Sequence, residues 1–533
     1  VTQLDLATLH ESIAAAIPDE PCIVADRTWT WSETTDRTRR LCAVLRGQNL
    51  GTRRPLSGEP AWETGQDHLG ILLHNGPEYL EALLGGHKAS VVPFNVNYRY
   101  TADELTYLFR DARPAVLVYG ARFAPVLAEV LPCLDRRPVL LQVDDGSGAQ
   151  MLDGARDYEA ALAAADPALG APDSGPDDHH LLYTGGTTGQ PKGVIWRVGD
   201  MVHGALGVRG RDGLPITELE LAVARALKVR GIVLPAPPLM HGAGGGIALG
   251  GWLGGGTVVF PPEPERFDAA RLLDTCASHD VTTLMIVGDA FAAPIVDELE
   301  RQPRTLALRV LVNSGAVLRD ELKDRLRAQV PGLRIADMLG SSESGVHARR
   351  ESEGRIFDGR GAVTVLSDDR SRLLEPGSEE VGWMATTGNI PLGYLGDAEK
   401  TAATFVSIGD QRFSVPGDRA RRLADGRIEF LGREATTINT GGEKVFADEV
   451  EAVLCSMTGV TDAVVIGRDS ERWGQEVVAL VATDRALTDA DLAAGCRAKL
   501  AGYKVPKAFV RVPAVGRHAN GKTDYAWARE AAR

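Results

Sequence analysis

Short apolar, β-branched runs alternate with stretches of helical periodicity through most of the chain. Residues 115–119, 139–143, 282–287 and 308–312 are the clearest strands, and the patterns between them predict parallel sheets covered by helices. Residues 149–178 are rich in Ala, Asp and Pro and read as a surface connection. The last hundred residues change character. Val450, Val453, Leu454 and Met457 fall on one face of a helix predicted over 446–457, with Asp448 and Glu449 in its first turn, where carboxylates suit the helix dipole. Strands over 463–466 and 476–483 follow, then a helix from about Thr488, which forms a capping box with Asp491. The expected fold is therefore α/β plus α+β. Residues 1–432 form a large N-terminal domain of stacked, mostly parallel sheets, and residues 433–533 a small α+β domain.

Residues 231–260 carry no Asp, Glu, Lys or Arg over a length that exceeds the roughly 20 residues of a membrane-spanning helix. Ten glycines and three prolines break that stretch, so a buried strand–loop–helix–strand passage is expected and no membrane span. Lys plus Arg number 58 against 72 Asp plus Glu, a formal charge of −14, which argues against general nucleic-acid binding. An anionic ligand must then be held by a few aimed cations and by backbone N–H groups. The six cysteines form no C-x-x-C pair, and the first twenty residues lack a basic segment followed by an apolar run. A reducing cytoplasm is the expected compartment, without a secretory signal.

The glycine excess, 59 residues, concentrates in candidate sites. The densest is Tyr183-Thr-Gly-Gly-Thr-Thr-Gly-Gln-Pro-Lys-Gly193. Consecutive Gly and Thr residues let N–H groups turn inward as an anion nest, the hydroxyls add donors, and Lys192 adds a charge. This is phosphate chemistry without a Walker A loop, because Pro191 and Gly193 flank Lys192 where Gly and Ser/Thr are required.

At this string, and at Gly65-Gln-Asp-His, Pro93-Phe-Asn-Val-Asn-Tyr-Arg, Gly340-Ser-Ser-Glu and Asn439-Thr-Gly-Gly-Glu-Lys-Val, the sequence resembles the adenylate-forming (ANL) superfamily. The nearest likeness is to bacterial acyl-CoA synthetases for long-chain, steroid or other bulky apolar acids. The resemblance implies a two-step ligase using ATP, Mg2+ and coenzyme A, a small barrel-like part in the large domain, and a mobile C-terminal domain with its hinge near 433–436. It implies nucleotide contacts at Thr184, Gly185, Gly186, Thr187, Thr188, Gly189 and Lys192, at Gly315 and Ala316, and at Asp337, Met338, Leu339, Gly340, Ser341 and Ser342. Asp418 and Arg433 would hold the ribose, and Glu343 would ligate the metal. His241, Gly242, Gly244, Gly245 and Gly246 would line the acyl pocket, the glycines leaving volume or admitting close backbone approach, and His241 would also be catalytic, with Glu343, by positioning the carboxylate or gating the site. Gly441, Gly442 and Lys444 would border the CoA passage, and Lys522 would be the catalytic cation for the carboxylate and α-phosphate. Leu339 replaces an aromatic of the family, Ser342 a Thr, Pro416 a Thr, Ala435 the Asp or Lys of the pivot, and Asn439 a Lys.

Partners implied are a small carboxylic acid, ATP and CoA, with a homodimer as the expected assembly. The residues leave three alternatives open: a different acceptor such as an amine or carrier protein, an enzyme running only the thioester half-reaction, or a glycine-rich binding or membrane protein without catalysis. A hydrolase oxyanion loop at His241-Gly-Ala-Gly ranks below these, because no G-x-S-x-G elbow exists.

Overall fold

The computed structural model describes residues 3–55, 58, 60–185, 190–210, 213–315, 318, 320–350, 356–358, 362–433, 437–516 and 524–533. Two eight-stranded sheets carry most of the N-terminal part. In one, the central strands Ile232–Pro235, Thr257–Val259, Thr283–Ile286, Val310–Ser314 and Arg334–Ser341 run parallel, and antiparallel strands close both edges. In the other, His68–Leu72, Val92–Asn95, Pro114–Gly120 and Val139–Val143 are parallel neighbours. Pro114–Gly120 is buried at every position, as a strand covered on both faces must be. Where a small barrel-like part was expected, a seven-stranded antiparallel sheet built from residues 356–433 is found.

Residues 437–511 supply a separate five-stranded sheet with its own core, including Ile438, Val445, Val450, Leu454, Val465 and Leu492. The helix expected over 446–457 spans Ala447–Cys455. The two expected strands are longer than their apolar centres, Val460–Ser470 and Gly474–Thr483. Thr488 and Asp491 form the anticipated capping box.

The uncharged stretch resolves into strand Ile232–Pro235, helix Gly242–Trp252 and strand Thr257–Val259. No described helix is long and apolar enough to cross a membrane. Each helical glycine costs about 1 kcal/mol relative to Ala. The glycine helix is held from outside, by buried Ala248, Leu249 and Trp252, whose Nε1 donates to the Cys22 carbonyl at 3.3 Å. Residues 149–178 are more than a connection. They hold the short helix Tyr158–Ala163, and the Tyr158 ring is buried with its hydroxyl donating to Glu81 Oε2 at 3.1 Å.

Candidate active site

The carboxyl ends of the parallel strands of both large sheets converge, as expected of α/β ligand sites. Asn95, ending the strand Val92–Asn95, organises the centre. Its amide donates to the carbonyls of Tyr183 at 2.8 Å and Met240 at 2.7 Å, and its oxygen accepts from the Tyr183 N–H at 2.7 Å. Asn75 does the same for the Pro-rich loop, donating to the Pro237 carbonyl and accepting from the Leu239 N–H. Two short amides thus fix the strand before the phosphate motif against the loop before the glycine helix.

The phosphate motif is a β-hairpin rather than an isolated loop. Strand His179–Gly185 pairs antiparallel with Pro191–Arg197, and Thr184 lies directly opposite Lys192. Opposed residues share a face, so hydroxyl and ammonium point the same way. Gly193 is required because a Cβ there would lie 2.8 Å from the Tyr183 ring. Gly186, Thr187, Thr188 and Gly189 lie outside the described residues. Lys192 Nζ donates to Asp397 Oδ2 at 2.9 Å, while Asp397 Oδ1 caps the helix Ala398–Thr404 through the Lys400 N–H. Burial works against the Lys192 charge, but Asp397, with Tyr107 and Asp111, outweighs it and raises its pKa.

Glu343 sits in the turn between strands Arg334–Ser341 and Gly345–Arg350. Its Oε1 accepts from the Tyr394 hydroxyl at 2.8 Å, and its backbone carbonyl accepts from Ser414 Oγ at 2.6 Å. The Ser342 carbonyl accepts from Trp196 Nε1 at 2.9 Å, and the hydroxyls of Ser341 and Ser344 are 2.8 Å apart. Lys400 lies over the Tyr394 ring; burial lowers its pKa, and Glu343 opposes that. A carboxylate oriented by a phenol, beside serine hydroxyls, fits a hard cation that takes most of its oxygens from phosphate and water.

The remaining nucleotide candidates divide. Asp337 is nearly buried and turned into the protein, bonded to Asn313 Nδ2 at 2.9 Å and Lys323 Nζ at 2.8 Å. Leu339 is partly buried against Val363, Val365 and Met384 of the antiparallel sheet, which accounts for an aliphatic residue there. Gly340 is demanded by contact, since a Cβ would sit 2.6 Å from the Gly345 carbonyl oxygen. Met338 precedes Leu339 in the same strand, half-buried. Gly315 has φ +81° and a Cβ position 3.5 Å from Val287 Cγ1; Ala316 is outside the described residues. Asp418 is buried, and its backbone is the cross-strand partner of Arg433.

On the acyl side, His241 occupies the N-cap position of helix Gly242–Trp252. Of the glycines expected to leave volume, Gly244 and Gly245 instead admit the chain's own backbone. Their Cβ positions are 2.4 Å from the Pro238 oxygen and 2.9 Å from the Leu239 oxygen. Gly246 does face open space, and Gly242 is exposed beside Leu182.

The small domain reaches this wall directly. Gly441 and Gly442 have φ of +57° and +84°, and a Cβ on Gly442 would lie 2.7 Å from Val287 Cγ1. Val287 therefore stands between the Gly315 turn and the double-glycine turn. Glu443, buried, accepts from His241 Nε2 at 3.1 Å and pairs with Arg99. A carboxylate only accepts, so the imidazole proton sits on Nε2. Burial, with Arg99 adding, holds the His241 pKa down to about 4. Lys444 is paired across its hairpin with Asn439. Ala435 and Lys522 lie outside the described residues, as does anything about the side chain of Arg433.

Sequence reasoning missed Asn75, Asn95, Arg99, Val287, Tyr394, Asp397 and Glu443 as site-builders. Asn95, Arg99 and Glu443 stood inside quoted motifs and could have been weighed. Nothing in the string around Tyr394 and Asp397 marks them.

Comparison with known proteins gives the family. The AMP-binding enzyme family matches residues 11–383, and the AMP-binding enzyme C-terminal domain matches residues 449–522. The chain is 44% identical over 542 residues to the medium-chain acyl-CoA ligase Mig of Mycobacterium avium, covering 100% of this chain and 98% of that protein. It is 37% identical over 547 residues to a 3-oxocholest-4-en-26-oate–CoA ligase of Rhodococcus rhodochrous, covering 99% and 96%. Among solved structures, the amide bond synthetase McbA of Marinactinospora thermotolerans is similar with a TM-score of 0.77 at 21% identity, covering 99% of each chain. The o-succinylbenzoate CoA synthetase of Bacillus subtilis, as a double mutant, has the same TM-score and identity, covering 100% and 99%.

Proposed function

The chain belongs to the AMP-binding enzyme family, and from that premise we propose the residues by which it works as an AMP-forming acyl-CoA ligase for bulky apolar carboxylic acids. ATP and CoA are its co-substrates and Mg2+ its metal. The observation that carries the assignment of roles is the contact between Glu443 and His241, 202 positions apart. It sets the double-glycine turn of the small domain against the wall of the proposed acyl pocket. The named acids of the two relatives, and the open space at Gly246, support a bulky apolar substrate.

In the first step a carboxylate oxygen attacks the α-phosphorus of ATP, forming the acyl-adenylate and expelling pyrophosphate. Thr184 and Lys192 meet the phosphates, and Asp418 with Arg433 holds the ribose. Glu343 would hold the metal, which would supply positive charge against the charge developing on the departing pyrophosphate. Lys522 approaches the carboxylate and α-phosphate, because a cation is most stabilising where two anions must meet. Residues 1–432 form the large domain, and residues 433–533 turn about 433–436. The turn withdraws Lys522 and brings Gly441 and Gly442 to the site. In the second step the CoA thiolate attacks the mixed anhydride and AMP leaves. With its proton on Nε2 and a depressed pKa, His241 is a neutral donor at the pocket mouth and adds no charge.

The test is a panel of carboxylic acids assayed for CoA-dependent AMP release, followed by the best acid with Lys522→Ala. The variant loses acid-dependent ATP–pyrophosphate exchange but still converts supplied acyl-adenylate to thioester. Surviving exchange overturns the role of Lys522, and AMP release indifferent to CoA overturns the acceptor.

A further inference from the structure

A second contact between the domains lies away from the reacting atoms. Lys504 in the small domain is almost fully buried, its side chain 4% exposed, yet it carries an ammonium. Two carboxylates surround it. Oε1 of Glu104 in the large domain accepts from its Nζ at 2.7 Å, and Oε1 of Glu449 in the small domain at 2.8 Å. Both carboxylates are largely shielded, 9% and 12% exposed. Tyr100 and Tyr503 turn their rings toward the ammonium at 5.2 and 5.8 Å, and the Tyr503 hydroxyl accepts from Asn97 Nδ2 at 3.3 Å.

Glu104 holds two duties at once. It is the N3 residue of the capping box that starts helix Ala102–Ala112, and its Oε2 accepts from the Thr101 N–H at 2.9 Å. The other oxygen crosses to the small domain. The segment that carries it begins at Asn95, the residue that fixes Tyr183 and Met240, and includes Asn97 and Arg99, both bonded to the small domain. Lys504 and Glu449 belong to one domain and travel together. Glu104 is the member that docking adds, and its charge-assisted bond in a dry interface forms only when the domains meet in this orientation.

We propose that Glu104 is a positioning residue for the CoA half-reaction: through Lys504 it seats the small domain so that Gly441 and Gly442 face the acyl site. The proposal rests on the two-step reading above, in which adenylate formation uses a different orientation. Removing the bond therefore slows the thioester step and leaves adenylate formation untouched.

Glu104→Gln separates the two duties, because Gln serves at N3 of a capping box but cannot supply a charged acceptor to Lys504. Lys504→Met breaks the clamp from the other side. In the full-length enzyme, single-turnover conversion of supplied acyl-adenylate by CoA should fall about tenfold or more in each variant, the size expected for losing a buried charge-assisted bond. Acid-dependent ATP–pyrophosphate exchange should stay within about twofold, melting of Glu104→Gln should be unchanged, and the double variant should be no slower than the worse single one. A second measurement is independent of the chemistry. The Cβ position of Gly442 is 3.3 Å from Val287 Cβ, close to the separation a disulfide spans, so Val287→Cys with Gly442→Cys reports the seated orientation by cross-linking. Adding Glu104→Gln should slow that cross-link about tenfold. An unchanged thioester rate, an equal fall in both half-reactions, or an unchanged cross-linking rate overturns the proposal. A parent enzyme, without the two cysteines, that forms no thioester from any supplied acyl-adenylate while its double-cysteine variant cross-links normally overturns the functional reading instead.

Discussion

Gly442→Ala tests whether the double-glycine turn acts in the CoA step and not in both. Two costs attach to a methyl group there. The first is local: with φ at +84°, a Cβ meets its own backbone, at a cost of about 1–2 kcal/mol in any orientation of the small domain. The second exists only when the domain is seated. The new Cβ would lie 2.7 Å from Val287 Cγ1, against an optimum of about 3.5–4.0 Å between carbons. Val287 cannot step aside cheaply, because it is β-branched, 6% exposed, and caps helix Gly288–Arg301. Overpacking of this kind costs about 1–3 kcal/mol, and about 1.4 kcal/mol is tenfold in rate. The thioester step should therefore fall about tenfold to a hundredfold, while adenylate formation changes far less. Single-turnover reaction of supplied acyl-adenylate with CoA, set against acid-dependent ATP–pyrophosphate exchange, measures the split. Val287→Ala removes the offending Cγ1 and should rescue most of the loss. Gly441→Ala is the contrast, because its Cβ would meet Trp473 of its own domain at 2.9 Å, a clash independent of seating. If Gly442→Ala slows both half-reactions equally, or Val287→Ala fails to rescue it, the seated contact is not what the second glycine serves.

Two further outcomes are expected. Asp397→Asn keeps the helix cap through its amide oxygen but releases Lys192, so ATP should bind about threefold to fivefold tighter, an effect of about 1 kcal/mol for a partly exposed charge; calorimetric titration showing equal or weaker affinity refutes it. Acid should destabilise the fold through His179 and His180, buried residues whose folded pKa values of about 4 lie below the unfolded 6.5. Their contribution is complete above pH 6.5 and is lost as the pH falls to 4, about 3 kcal/mol each at about 1.4 kcal/mol per pH unit. Glu78 and Asp178, raised to about 7 and about 6, work in the opposite direction, so the clean observable is a difference. His180→Gln should lose less stability than the parent between pH 7 and pH 5 in urea unfolding, and equal losses refute the assignment.

How much of this was readable in the string differs from element to element. The strand–loop–helix–strand passage at 231–260 was legible, because proline and glycine interrupt an uncharged run at lengths no spanning helix tolerates. The small α+β unit was legible from the stripe of Val450, Val453 and Leu454 and from the capping box at Thr488, both local patterns. The glycines after His241 were only half legible. Composition says that side chains are absent, but only the packed backbone shows that Pro238 and Leu239 take the space at Gly244 and Gly245 while Gly246 stays open. Residues 149–178 were misread as mere connection because three alanines in a row look like filler until Tyr158 is seen anchored on Glu81.

By itself the sequence determined which groups could do chemistry. A string dense in Gly and Thr with one lysine, a lone carboxylate after two serines, and a double glycine before an acidic residue are statements about neighbours in the chain, and local sterics and hydrogen bonding decide them. Tertiary structure decided which of these groups meet. Lys192 finds Asp397, Glu343 finds Tyr394, His241 finds Glu443, and the spare oxygen of a capping glutamate finds Lys504. Each pairing joins residues separated by 51 to 400 positions. A long-range pairing leaves no periodicity in the string, because its energy is gained only where folding brings both partners out of water together.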